Sequence, residues 1–202
     1  MYIARILYPV KVLGPGDRIG IWFCGCEHHC PGCSNPELWD QNEKYRTDLD
    51  TVMRLVHLIS ERNQVDGITL TGGDPFFQPE ALRLLLKELL KINKDVLVYT
   101  GYEYEEIKDV YADILEDIAV LIDGRYIEAE NHGSMLRGSD NQEIIVLNDG
   151  VRDLYAEYLR RNESMIQNFS TGDGIISVGI HQPEYEDQLL KISKEKGLEV
   201  KS

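Results

Sequence analysis

Short apolar runs alternate along the chain with longer segments in which apolar residues recur at helical spacing. Five of the short runs have four or five residues and carry few polar side chains. Runs of this length and composition are typical of buried parallel β-strands. The pattern therefore predicts five core strands, at IGIWF (19–23), GITL (67–70), DVLVY (95–99), AVLID (119–123) and EIIVL (143–147).

Three segments with helical periodicity lie among these runs. Residues 47–61 place most of their apolar side chains on one face, and Thr47 or Asp48 can cap the first turn. Residues 79–91 open on a proline suited to a first helical turn and continue with a leucine-rich face, and residues 102–117 form the third segment. Strands that alternate with helices predict right-handed βαβ units and hence an α/β fold with a parallel sheet.

Polar or glycine-rich turns follow four of the predicted strands. The carboxyl ends of parallel strands meet at one edge of a sheet, where ligands of such sheets bind. We therefore expect a site where these turns converge. The turns are CGCEHHCPGC (24–33), TGGDP (71–75), TGY (100–102) and DGR (123–125).

Length and charge restrict the compartment and the partners. A chain of 202 residues with 43% hydrophobic residues can bury one sizeable core without disulfides. Arg5, Pro9 and Lys11 interrupt the first apolar run, and no run reaches the ~18 residues of a membrane span, so we expect a cytoplasmic protein without a membrane partner. The formal charge of −14 disfavours nucleic acid as a partner.

All four cysteines lie within ten residues, at Cys24, Cys26, Cys30 and Cys33. A disulfide is disfavoured in the cytoplasm, where thiols stay reduced. Structural zinc is a second interpretation, with four thiolates and two histidines nearby. A third is an iron–sulfur cluster held by Cys-x3-Cys-x2-Cys, which leaves the fourth iron open, whereas electron-transfer clusters normally take a thiolate at every iron.

The remaining residues of this loop allow more than one interpretation. Cys24 is either a fourth metal ligand or a small buried residue at the end of a strand, and we favour the buried position. His28 and His29 are expected to be solvated, as loop histidines usually are, and His181 has no motif around it.

The spacing of Cys26, Cys30 and Cys33 resembles that of radical S-adenosylmethionine enzymes, and TGGDP resembles the segment with which they hold the amino group of S-adenosylmethionine. Asp in the acidic position of this segment resembles the activating proteins of anaerobic ribonucleotide reductase. Further similar segments occur in the same order as in that family: GPGDR (14–18), CPGCSN (30–35), VYTGYEYEEI (98–107), VLIDGRYIE (120–128) and RGSDNQ (137–142).

The resemblance implies two cofactors, a [4Fe–4S] cluster and S-adenosylmethionine, and a role for each matching residue. Cys26, Cys30 and Cys33 would bind the cluster. Gly32 and Ser34 would meet the adenosine, and Gly72, Gly73 and Asp74 would hold the methionyl amine; no further catalytic residue is implied. The residues that would line the adenosyl side or the substrate mouth, unless they are only caps and turns, are Thr100, Asp123, Arg137, Ser139 and Asn141.

The resemblance also implies an incomplete TIM-like radical S-adenosylmethionine barrel of about five to six parallel strands, because a closed barrel takes ~250 residues. GIISVGIH (174–181) is the candidate sixth strand. We expect a core domain at residues 1–150 and a C-terminal α/β extension, 151–202, packed on it. Members of the family tend to end soon after the segment that RGSDNQ resembles.

The function implied is that of an enzyme that cleaves S-adenosylmethionine reductively to a 5′-deoxyadenosyl radical. The radical would abstract hydrogen from a glycine of a partner such as anaerobic ribonucleotide reductase, with flavodoxin or ferredoxin as electron donor. One alternative is a radical enzyme acting on a small molecule or another peptide, with the extension closing the open side. Another is a non-catalytic iron–sulfur or zinc electron-transfer module, with Cys24 as the fourth ligand.

Overall fold

Six strands form the main sheet of the computed structural model, which describes residues 1–160, 165–172, 174–182 and 185–195. The strands lie side by side in the order of the chain. The four inner strands are parallel, and the two edge strands are antiparallel to their neighbours. The strands are β1 (Ile3–Val10), β2 (Arg18–Phe23), β3 (Gly67–Gly72), β4 (Val96–Tyr99), β5 (Val120–Ile122) and β6 (Ile144–Val146).

The predicted α/β class is confirmed, but the expectation of five to six parallel strands is wrong. The run at 143–147 forms β6, which is antiparallel to β5 because the chain returns from the same edge without a crossover helix. Strand β1 was not predicted. Most of its residues are only partly buried, and it contains Arg5 and Pro9, which suit an edge strand.

Helices α1 (Leu49–Ser60) and α2 (Pro79–Leu89) confirm the first two predicted helical segments. Asp48 caps α1, and its Oδ1 accepts a hydrogen bond of 2.7 Å from the Thr51 amide. The third segment forms two short helices, α3 (Tyr104–Ile107) and α4 (Ala112–Leu115), rather than one. Residues 109–111, Asp-Val-Tyr, are weak helix formers and lie at the break.

The C-terminal segment contains α5 (Arg152–Arg160), β7 (Ile166–Thr171), β8 (Gly174–Gly179) and α6 (Tyr185–Glu195). The candidate strand at 174–181 pairs with β7 in a separate two-stranded sheet, so its expected place in the main sheet is wrong. The predicted division into two domains stays a prediction. Among the described residues, no helix combines the length and apolarity needed to cross a lipid bilayer.

The apolar core fills both sides of the main sheet. Helices α1, α2 and α4 cover one face, where Val52, Val56 and Leu85 pack with Ile19 and Leu70 of the strands. On the other face, two tyrosines of α5 pack against the inner strands, and Val178 of β8 packs against the β1–β2 region. The C-terminal segment therefore shares its core with the main sheet.

A buried polar network joins α5 to the sheet. The Arg18 guanidinium is fully buried and lies 2.8 Å from both Thr69 Oγ1 and Asp95 Oδ2. Asp95 also accepts a hydrogen bond of 2.8 Å from the Tyr155 hydroxyl. A Cβ atom at Gly14 would lie 2.8 Å from Arg18 Cδ, so the GPGDR segment leaves room for the buried arginine.

Candidate functional site

The turns after β2, β3, β4 and β5 line one chamber at the carboxyl edge of the inner strands, as the sequence predicts. The three spaced cysteines are partly buried and lie in its wall. The other predicted site residues in this wall are Ser34, Gly72, Gly73, Asp74 and Thr100.

Backbone hydrogen bonds fix the start of the cysteine loop. The Gly25 amide donates to the Leu38 carbonyl and the Cys26 amide to the Trp39 carbonyl, each at 2.8 Å. His29 is exposed, as expected, and its ring stacks on Trp39 with a centroid separation of 5.0 Å. The loop is thus supported by the segment that follows it.

Burial controls the chemistry of two of the thiols. It raises the pKa of Cys26 from an ordinary value of 9.0 to about 11 and also raises the pKa of Cys30. Both groups are therefore neutral thiols near pH 7, and metal binding has to release their protons. In the described ranges, no three His, Cys, Asp or Glu side chains converge closely enough to hold a single metal ion.

Cys24 is separate from the other three cysteines. It is fully buried, and its thiol donates a hydrogen bond of 3.1 Å to the Asp40 carbonyl. It packs with Val10 and Leu38 and is absent from the chamber wall. The interpretation of Cys24 as a buried residue at a strand end is confirmed.

The two glycines of TGGDP bring the ends of β2 and β3 together. The Gly73 amide donates to the Phe23 carbonyl and the Asp74 amide to the Gly25 carbonyl, each at 2.8 Å. Gly72 has a φ of +111°, and a Cβ atom there would overlap the backbone of Phe23. A Cβ at Gly73 would overlap the Gly25 carbonyl. These glycines therefore allow close contact between two strand ends.

Asp74 is buried, and its carboxylate is surrounded by protein donors. Its Oδ1 accepts from the Phe76 amide at 2.8 Å, and its Oδ2 accepts from the Gly101 amide at 2.8 Å. The Thr100 hydroxyl lies 3.0 Å from both oxygens, and His28 Nε2 lies 3.1 Å from Oδ2. A carboxylate has about four acceptor positions, so this network leaves little capacity for a further donor.

His28 is a chamber residue that sequence reasoning missed. Its side chain is 2% exposed, so the expectation that it is solvated is wrong. Its ring meets Tyr102 edge-on at 4.5 Å. The contact of 3.1 Å between Nε2 and Asp74 Oδ2 lies outside hydrogen-bond geometry, so among the described residues neither ring nitrogen has a hydrogen-bond partner. A Cβ atom at Gly101 would overlap the ring, so the glycine of TGY is the sequence signal for a group packed there.

Four predicted residues lie beside the chamber and bond to backbone instead of lining it. Their role in cofactor binding stays a prediction. The Asp123 carboxylate accepts hydrogen bonds from the amides of Tyr104 and Glu143. The Ser139 hydroxyl accepts one from the Ile127 amide. Arg137 donates to the carbonyls of Asp140 and Gln142, and the Asn141 side chain donates to the Arg125 carbonyl.

Neighbours of these four residues occupy the wall. Gln142 Nε2 donates to the Gly124 carbonyl at 2.7 Å, and its Oε1 accepts from the Gly138 amide at 2.7 Å. Gly32 lies in an adjoining groove, where a Cβ atom would lie 2.7 Å from Glu128 Oε1. Five residues of the C-terminal segment, 177–181, complete the chamber wall, and no motif identified them.

Comparison with known proteins agrees with this geometry. Residues 12–145 match the model of the family described as "4Fe-4S single cluster domain". The anaerobic ribonucleoside-triphosphate reductase-activating protein of Enterobacteria phage T4 is 35% identical over 150 residues, which cover 72% of this chain and 94% of the relative. The proteins of that name from Escherichia coli K12 and Vibrio cholerae are 32% and 33% identical over 145 residues, covering 68% of this chain and 94% and 93% of theirs.

The chain belongs to this family of activating proteins. The chain is thus an activating enzyme, and the resemblance inferred from the motifs is confirmed. The family model bears out the predicted [4Fe–4S] cluster, and S-adenosylmethionine is the second cofactor that membership brings. The family match ends at residue 145, so β7, β8 and α6 lie outside it.

Proposed function

We propose that this protein is a radical S-adenosylmethionine oxidoreductase that generates a glycyl radical on an anaerobic ribonucleotide reductase. The observation that carries the proposal is the convergence of three spaced thiols with the Gly-Gly-Asp turn and Thr100 in one chamber. The names of the relatives support the identity of the partner.

The donor set fits a site-differentiated cluster. Cys26, Cys30 and Cys33 would each bind one iron, and the fourth iron would be left for S-adenosylmethionine. Cys24 is unsuited to that fourth position, because it is fully buried among apolar side chains and already bonded to a carbonyl. This placement disfavours the electron-transfer module in which Cys24 is a fourth ligand.

The part of the chamber wall formed by His28, Trp39 and the Gly-Gly-Asp turn fits the amino-acid end of S-adenosylmethionine. In the part of the chain that the structure describes, the buried ring nitrogens of His28 and Trp39 have no hydrogen-bond partner, and both side chains line the chamber. A buried polar atom without a partner is costly, so a polar ligand at this wall would compensate. Asp74 would hold His28 and Thr100 in place while the turn at Gly72 and Gly73 forms the neighbouring wall.

When bound, the two cofactors supply reductive cleavage of the sulfonium and a 5′-deoxyadenosyl group that takes hydrogen from glycine. The protein's part is to place them together and to exclude water from the chamber. We propose that the sheet is an incomplete TIM-like barrel whose carboxyl edge presents this chamber to the partner. A flavodoxin or ferredoxin would supply the electron.

The position of residues 177–181 favours a second candidate function. Because these residues line the chamber, they narrow the opening through which a large partner would reach the three cysteines. A radical enzyme acting on a small molecule or short peptide would use such a closed chamber. The experiment below separates the two candidates.

The test is glycyl-radical formation. The full chain would be loaded anaerobically with iron and sulfide, reduced, and mixed with S-adenosylmethionine and an anaerobic ribonucleotide reductase from the same source. We expect an organic radical in the EPR spectrum that requires both the cofactor and the reductase. Absence of the radical, when the phage T4 relative does generate it on that same reductase, would contradict the proposed partner.

A further inference from the structure

One stretch of the C-terminal segment crosses the chamber. We call residues 174–182 the strap; it comprises β8 and the three residues after it. Five consecutive strap residues, 177–181, line the same chamber as the three cysteines. The family match ends at residue 145, so this part of the wall belongs to a segment outside the matched region.

The middle of the strap packs against the region of β1 and β2. Val178 is 4% exposed and packs in the cluster that contains Val10 and Trp22. The neighbouring strand β7 is fixed at the same place. Gln167 Nε2 donates to the Pro9 carbonyl at 2.7 Å, and Gln167 Oε1 accepts from the Lys11 amide at 2.9 Å.

The C-terminal residues of the strap are held by the loop between β5 and β6. Asn131 Nδ2 donates a hydrogen bond of 2.7 Å to the His181 carbonyl. The His181 ring stacks on Tyr185 at 4.5 Å, and Ser177 Oγ lies 2.8 Å from His181 Nε2 and 3.0 Å from the Tyr185 hydroxyl. The strap therefore connects the two edges of the main sheet and also contacts α6.

A groove adjoins the chamber and shares part of its lining. It is bordered by Arg5, Glu128 and Gln182, and by Tyr185 and Leu189 of α6. The groove and the chamber share Cys33, Ser34, Asn35, Tyr126, Ser177 and His181 as lining residues. The two spaces are therefore neighbours, and residues of the strap and of the cysteine loop line both.

We propose that the strap is a wall of the cofactor chamber that decides which molecules reach the three cysteines. While the hydrogen bond from Asn131 to the His181 carbonyl is intact, a small molecule reaches the cysteines from the groove. A bulky molecule reaches them only when the strap moves away from the β5–β6 loop. The description of the space as a cofactor chamber rests on the proposed function, but the position of the strap in the same wall as the three cysteines does not.

The test compares thiol access for a small and a bulky reagent. The full-length, cluster-free chain would be treated with iodoacetamide or with a maleimide carrying a polyethylene glycol chain. Mass spectrometry would follow Cys26, Cys30 and Cys33. We expect the wild-type protein to react much more slowly with the bulky reagent, relative to iodoacetamide, than an unfolded control does.

Two substitutions each remove one anchor, Asn131→Asp at the C-terminal part of the strap and Gln167→Leu on β7, the strand that pairs with it. Asn131→Asp removes the donor to His181 but keeps the oxygen that accepts the Gly133 amide, and Gln167→Leu removes both bonds to β1 and its loop. Loss of one such anchor should raise the ratio of bulky to small reaction rates about five- to tenfold. Asn168→Ala, at an exposed neighbouring position on β7, should leave the ratio unchanged.

The outcomes are distinguishable from those of the proposed function, because the reaction with thiols needs neither the cluster nor S-adenosylmethionine. An unchanged ratio in both Asn131→Asp and Gln167→Leu would overturn the strap as a wall. An equal increase in Asn168→Ala would also overturn it. In the cluster-loaded protein, the rate of iron loss to a bulky chelator relative to a small one should rise in Asn131→Asp and Gln167→Leu and stay unchanged in Asn168→Ala.

Discussion

At the scale of single residues, burial controls how readily the Cys26 thiol ionises and reacts. Because burial raises the pKa of Cys26 to about 11, the thiolate fraction near pH 8 is far below that of an ordinary cysteine. In the cluster-free protein, alkylation of Cys26 by iodoacetamide should rise about tenfold per pH unit above pH 8 and level off only near the raised pKa. Peptide mapping after timed labelling measures this rate, and a midpoint like that of an unfolded peptide would contradict it.

Cys24 and Cys26 form a matched pair of positions two residues apart. Cys26→Ala should abolish the cluster, because it removes one of three proposed ligands, whereas Cys24→Ala should retain it. The cost of Cys24→Ala should be limited to about 1–2 kcal/mol of unfolding free energy from the small cavity left at a buried site. Iron and sulfide content after reconstitution measures the difference, and loss of the cluster in Cys24→Ala would restore Cys24 as a candidate ligand.

His28, which lies in the cysteine loop between Cys26 and Cys30, provides a test of ligand binding in the chamber. Its ring nitrogens have no hydrogen-bond partner among the described residues, so His28→Phe should fold with a cluster. If a bound ligand completes these bonds, the Kd for S-adenosylmethionine should rise about tenfold. His29→Asn is the control, because His29 is exposed and has a φ of 46° that asparagine tolerates. Equal affinities for the two variants and the wild-type protein would exclude His28 from ligand binding.

At the scale of the elements, the buried ion pair at the base of the sheet joins β2, α5 and the start of β4. Asp95→Ala would leave the fully buried Arg18 without its carboxylate, which should cost about 3–5 kcal/mol of unfolding free energy. Tyr155→Phe removes one hydrogen bond to the same carboxylate and should cost about 1–2 kcal/mol. Urea unfolding measures both, and equal stabilities for Asp95→Ala and wild type would contradict the structural role of the pair.

The elements that sequence reasoning recovered are those fixed by local pattern. Strands β2 to β5 are short apolar runs, and α2 begins at its first-turn proline. The direction of β6 depends on how residues 123–143 return to the sheet, which periodicity does not encode. Strand β1 was not predicted, because its place in the sheet depends on its pairing with β2 rather than on a continuous apolar run.

At the scale of the whole molecule, motifs predicted the side of the chamber that carries the thiols and the Gly-Gly-Asp turn. They did not predict the wall formed by the strap, because its position depends on contacts between residues more than 40 apart in sequence, such as Asn131 with His181. His28 was missed for a similar reason. Its burial results from Gly101 and Tyr102 on another strand's turn.

The most direct test of the central claim needs no partner. The reconstituted and reduced full-length protein would be mixed with S-adenosylmethionine, and 5′-deoxyadenosine would be quantified while EPR spectra are recorded with and without the cofactor. The proposed function predicts slow release of 5′-deoxyadenosine and a change in the cluster signal on addition of S-adenosylmethionine. A cluster whose signal ignores S-adenosylmethionine, or a colourless protein that retains zinc, would contradict it.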